Sequence, residues 1–132
     1  MTTILRGSDN FDTGTDVYAD SDALTLFNAG GSAPVYACRA WVNFNGVGTV
    51  AVGDSGNVSS ITDRGTGKYT VNLTTSMADA NYATLATSQD ATEGNTRIAQ
   101  CRPDTASSYL ISNENISGSL VDAEYVSSCI FH

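Results

Sequence analysis

Any chemistry in this 132-residue chain has to come from one histidine, three cysteines and scattered carboxylates. His132 is the last residue, and a terminus is a poor support for the general base of a nucleophilic triad. Cys38, Cys101 and Cys129 lack the close spacing at which two ligands grip one zinc ion, and a single histidine does not repair that. The stretch GVGTVAVG, from Gly46 to Gly53, lacks the lysine and following helix of a phosphate-cradling loop. Asp9, Asp12 and Asp16 do not alternate as calcium-loop ligands do and read as a solvated acidic segment. Asp122 and Glu124 flank a strand at alternate positions, which reads as two solvent-face carboxylates rather than an acid–base couple. Asn-x-Ser/Thr triplets begin at Asn57, Asn72 and Asn115, as expected by chance in a chain rich in Ser, Thr and Asn. Trp41, Tyr36, Tyr69 and Tyr125 lie within alternating runs, so packing in the core or a subunit interface outweighs sugar stacking. The residues point to a scaffold or binder: no enzyme, no cofactor, no metal.

Bulk composition narrows the partners. The net charge is −8, with Lys68 and five arginines as the only cations. Nucleic-acid binding needs clustered basic side chains and is a poor fit. The same charge disfavours adsorption to anionic lipid, and no run approaches the roughly 20 apolar residues of a membrane span. The start, MTTILRGSDN, has no apolar core of a secretory signal. Each cysteine sits in a strand-like run, which reads as three small buried thiols in a reducing cytoplasm, with one disulfide plus a free thiol as the alternative.

Two regions must position whatever the protein presents. Residues 1–34 carry Asp9, Asp12, Asp16, Asp20 and Asp22, and end in Gly30-Gly31-Ser32-Ala33-Pro34. This composition reads as an extended N-terminal anchoring arm closed by a flexible linker. Fully stretched it spans on the order of 110 Å, enough to hold on to a neighbouring protein. Residues 35–132 carry seven or so short strands punctuated by Gly and Asn, the pattern of an all-β, antiparallel β-sandwich of jelly-roll-like type. Period-two alternation puts Tyr36, Cys38, Ala40, Val42 and Phe44 on one face and Arg39, Trp41 and Asn43 on the other. GTVAV is a second strand, with Gly53-Asp54-Ser55-Gly56 as the turn after it. NVSSITDRGTGKYTVNLTT then reads as a hairpin turning at Asp63–Gly67, with a bulge near Ser59-Ser60 because Val58 and Ile61 differ in parity. Ser76–Asp79 has at most one helical turn. The exposed tips are Arg64–Thr66 and Gln89–Asn95, which makes Arg64, Thr66, Gln89, Asp90, Glu93 and Asn95 the candidate receptor contacts.

Four linked segments resemble a module of tailed-bacteriophage structural proteins, above all tail fibres of phages infecting aquatic bacteria, cyanobacteria included. They are Ala40-Trp41-Val42-Asn43-Phe44-Asn45-Gly46, Asn57-Val58-Ser59-Ser60-Ile61-Thr62-Asp63, Gly67-Lys68-Tyr69-Thr70-Val71-Asn72 and Asp79-Ala80-Asn81-Tyr82, with Ile130-Phe131 closing the last strand. The resemblance covers about residues 37–132. It implies a virion protein assembled in the host cytoplasm, a homo-oligomer expected to be a trimer, taking part in host adsorption as a tail or baseplate fibre or appendage subunit. Its partners would be other virion proteins, through residues 1–34, and a glycan or protein of the host surface. The alternative is a capsid decoration protein anchored by the same arm.

Overall fold

The structure is a computed structural model that describes residues 36–132. The arm expected over residues 1–34 lies outside the described residues. Eight strands follow in order: β1 (Cys38–Asn45), β2 (Ala51–Gly56), β3 (Val58–Asp63), β4 (Lys68–Leu73), β5 (Ala83–Gln89), β6 (Arg97–Thr105), β7 (Ser108–Asn115) and β8 (Tyr125–Phe131). They form two four-stranded antiparallel sheets, ordered β2-β1-β8-β5 (sheet A) and β3-β4-β7-β6 (sheet B). The expected β-sandwich is therefore present. No helix occurs among the described residues, and Ser76–Asp79 forms bends.

The core is what strict alternation puts between the sheets. Ala40, Val42 and Phe44 of β1 and Val126 and Ile130 of β8 face Tyr69, Val71 and Leu73 of β4 and Tyr109 and Ile111 of β7, all buried. The Phe44 and Tyr69 rings meet edge to face, centroids 5.0 Å apart, an arrangement that adds a little beyond area burial. Two polar pairs span the sandwich without leaving it: Tyr109 Oη lies 2.8 Å from Ser128 Oγ, and Tyr82 Oη donates to the Ser108 carbonyl at 2.6 Å. Asn113 of β7 is fully buried, and neither its amide oxygen nor its amide nitrogen finds a partner among the described residues.

The hairpin from Asn57 to Thr75 forms in the expected register, and the bulge falls between Val58 and Ser60. The bulged Ser59 spends its hydroxyl on the Asn72 carbonyl at 3.1 Å. Three expectations change. Gly53-Asp54-Ser55-Gly56 is not a turn but the body of β2. Its glycines make room: the Asn43 amide occupies the space a Cβ would need at Gly53, and the Trp41 indole does so at Gly56. The chain instead changes sheets at one residue, Asn57, with φ at 57°. Its side chain donates to the carbonyls of Arg39 and Thr75 and accepts from the Thr75 N–H.

Cys38 is the second change. A register shift between Cys38 and Ala40 breaks the alternation of β1, so Cys38 and Tyr36 are exposed instead of following Ala40 into the core. Cys101 and Cys129 are half-buried, and all three thiols are free. Burial pushes the Cys129 thiol up, and the neighbouring Cys38 and Cys101 add to it. Third, Asp122 is not a solvent-face carboxylate. It is half-buried, and its Oδ1 accepts from the Gly67 N–H at 2.7 Å and from Tyr69 Oη at 2.9 Å.

Candidate binding surface

Antiparallel order throughout sends every odd-to-even connection to the same end of the sandwich. The β3–β4 turn, the β5–β6 loop and the β7–β8 connection meet there, because Lys68 pairs with Ser112 on β7 while Arg97 pairs with Asn115 three residues further on. The β1–β2 connection joins them through the Gly46 N–H, which donates to the Ala123 carbonyl at 2.9 Å. All six candidate contacts, Arg64, Thr66, Gln89, Asp90, Glu93 and Asn95, thus belong to one end of the domain.

Within that end the six differ. Arg64 and Thr66 stand exposed on a turn closed by Arg64 N–H to the Lys68 carbonyl and Lys68 N–H to the Gly65 carbonyl, both 2.9 Å. Asp63 fixes the turn by accepting the Gly65 N–H at 2.8 Å. Gln89, Glu93 and Asn95 are exposed. Asp90 is committed elsewhere: it pairs with Arg97 at the foot of its loop and accepts the Thr92 N–H at 3.1 Å. Its charge braces the loop and is not on offer to a partner.

Sheet B presents what the sequence reading missed. On its outer face a groove of about 360 Å³ runs down from the β3–β4 turn, lined by Arg64, Lys68, Gln100, Arg102, Leu110 and Ser112. Register places Lys68 and Gln100 on either side of Ser112, and Arg102 beside Leu110 in the next row. Three of the chain's six cations therefore share one groove. The ion pairs among the described residues are Arg97–Asp90 and His132–Asp79, so none of those three cations is neutralised by a described carboxylate. The signal lay in the alternation of KYTVN and IAQCR, which puts Lys68, Gln100 and Arg102 outward; that β4 and β6 share β7 as a neighbour could not be read from either segment.

The outer face of sheet A is different in kind. Trp41, Cys129 and Leu85 are cross-strand neighbours on β1, β8 and β5, with Trp41 41% and Leu85 55% exposed. Trp41 is thus no core residue, and Tyr125, 62% exposed, is not one either. Of the four aromatics singled out in sequence only Tyr69 is buried.

His132 lies 3.4 Å from Asp79 and faces the Tyr82 ring, with no nucleophile in its contacts. Asp79 is held below the usual carboxylate range first by the Asn81 N–H and only then by His132. No three metal-ligating side chains converge among the described residues. No family model, curated protein or solved structure matches the chain.

Proposed function

We propose that the protein is a non-enzymatic structural protein of a bacteriophage virion, a tail or baseplate fibre or appendage subunit that takes part in host adsorption. One observation carries the reading: a rigid two-sheet scaffold gathers four connections at one end, with exposed side chains at Arg64, Thr66, Gln89, Glu93 and Asn95. Loops held by a fixed frame are the usual carriers of recognition. The segments behind the phage-module resemblance are also the joints of this frame: Gly46 beneath Tyr69, Asn57 at the sheet crossing, Gly67 on Asp122, and buried Tyr82.

An assembled subunit, for which we propose a trimer, is supported by two features. The row Trp41, Cys129 and Leu85 leaves apolar surface on sheet A, and β2, at the far edge of that sheet, has Asp54 as its one charge and no proline. Unguarded edges and apolar patches of this sort are ordinarily covered by another chain. Copies on one particle would add avidity to weak single sites.

The test is immunogold labelling of purified particles with an antibody against the protein, alongside light scattering of the recombinant chain. Label at the tail and a trimeric mass are expected. Label over the head would replace the adsorption reading with the capsid-decoration one, and a monomer at all concentrations would remove the oligomer.

A further inference from the structure

The groove on sheet B is a local inversion of the chain's charge. The protein carries 14 acidic and 6 basic side chains, yet Arg64, Lys68 and Arg102 converge where no described carboxylate pairs with them. Like charges held together without counter-charges cost stability, so a fold that keeps them on one face invites an anionic partner. Carboxylates also stand on this face, Asp104 following Arg102 two residues on along β6, but none comes within ion-pair distance of the three cations. Asp63 accepts the Gly65 N–H, and Glu114 accepts Gln100 Nε2 at 3.4 Å. Arg102 spends one N–H on the Pro103 carbonyl at 3.4 Å, which orients the guanidinium and leaves its remaining donors available.

The rest of that face says what kind of anion fits. Thr62 and Thr70 pair across β3 and β4, and Ser112 and Gln100 across β7 and β6, so hydroxyls and an amide surround the cations. Leu110 supplies one half-buried aliphatic patch among them. A polyhydroxylated ring bearing a carboxylate or sulfate matches such a surface: its charge meets the guanidinium and ammonium groups, and its hydroxyls find short polar side chains. We propose that this groove is a binding site for an acidic saccharide, with Arg64, Lys68 and Arg102 holding the carboxylate or sulfate. The idea deepens the adsorption reading and rests on it for a biological context, but its chemistry stands on the groove alone.

The experiment uses the full chain, with binding followed by biolayer interferometry against polygalacturonate (carboxylate), dextran sulfate (sulfate) and neutral dextran. At least one acidic polymer is expected to bind roughly tenfold or more tightly than dextran, the scale of a few charge-assisted contacts. Binding should weaken as salt rises. The triple variant R64A/K68A/R102A should lose that preference without any fall in its melting temperature, and R39A, a cation outside the groove, should retain it. Equal binding by the triple variant, or no preference for acid over neutral polymer, overturns the proposal. If the triple variant instead changes the oligomeric mass and leaves polymer binding intact, the groove serves a contact between copies of the chain, and the saccharide site is wrong. Labelled protein on host cells separates the two readings: undiminished decoration by the triple variant sinks the groove and spares adsorption, whereas polymer binding without host binding does the reverse.

Discussion

Tyr69 and Asp122 lock the loop end of the sandwich: the phenol on β4 lies 2.9 Å from the carboxylate that precedes β8 and 3.0 Å from the Gly46 carbonyl. Three connections are tied by this pair, since Asp122 also takes the Gly67 N–H. Y69F removes the one O–H that the half-buried carboxylate and the Gly46 carbonyl share, and an unmet buried acceptor costs about 1–3 kcal/mol. D122N keeps an acceptor oxygen and should cost less. Thermal melts check the order wild type, then D122N, then Y69F; a Y69F melt indistinguishable from wild type would refute the lock.

Gly67 and Gly65 share a turn and a positive φ, at 67° and 99°, but not their surroundings. A Cβ on Gly67 would stand 2.6 Å from the Asn113 carbonyl and 2.8 Å from the Val121 carbonyl, whereas one on Gly65 meets nothing within 4 Å. G65A then costs only the left-handed backbone penalty, about 1–2 kcal/mol. G67A adds a collision with backbone that cannot retreat, for a total of roughly 3 kcal/mol or more. Urea midpoints of the two variants measure the difference. Equal losses would mean that the packing around Gly67 gives way.

Legibility followed range along the chain. The hairpin, its bulge and the inward set Ala40, Val42, Phe44, Tyr69 and Val71 were readable because alternation is local, and the sandwich followed from strand count and spacing. Cys38 was misplaced because a bulge toggles parity without any mark in the sequence. Gly53 and Gly56 read as a turn in sequence because glycine signals both tight turns and close approach, and only the cross-strand Asn43 and Trp41 decide between them. The cationic groove stayed hidden for a related reason. A net charge of −8 averages over the surface, while Lys68 and Arg102 become near neighbours only through β7.

Asn57 carries the passage from β2 in sheet A to β3 in sheet B on one residue. Asparagine tolerates the left-handed region, and here its amide also makes three hydrogen bonds. N57G keeps the backbone freedom and loses the bonds; N57A loses both. Expected losses are about 1–3 kcal/mol for glycine, with alanine worse by about 1 kcal/mol for the strained φ. In chemical denaturation, an N57G variant as stable as wild type would show that the amide bonds carry nothing, and an N57A variant no worse than N57G would remove the strain.

The thiols should separate by reactivity. Cys38 is exposed on the bulge, while Cys101 is half-buried against the core and burial raises the Cys129 thiol. Because the thiolate is the reacting form, N-ethylmaleimide at pH 8 should modify Cys38 first, with the other two following only slowly until urea is added. Peptide mass spectrometry assigns the sites, and C38S should abolish the fast phase. Cys129 labelling as fast as Cys38 would contradict its placement.

Three buried phenols make the fold sensitive to alkali. Burial, then the bond to Asp122, raises Tyr69 well above the ordinary tyrosine value; burial raises Tyr82; and burial pushes Tyr109 up to about 12. Below pH 10, near the ordinary phenol pKa, folded and unfolded chains both keep these protons, so the full contribution to stability is present. Above it the unfolded chain releases protons that the folded one retains, and the state with fewer bound protons gains as pH rises. Stability should thus fall from about pH 10 upward, with the Tyr109 share lost by about pH 12. Y109F begins less stable at pH 8, because Ser128 loses its partner, but its decline above pH 10 should be shallower by up to about 1.4 kcal/mol per pH unit, one proton's worth. Urea titrations at pH 8, 10, 11 and 11.5 give both slopes. Parallel declines in the two proteins would place the Tyr109 phenol in contact with water.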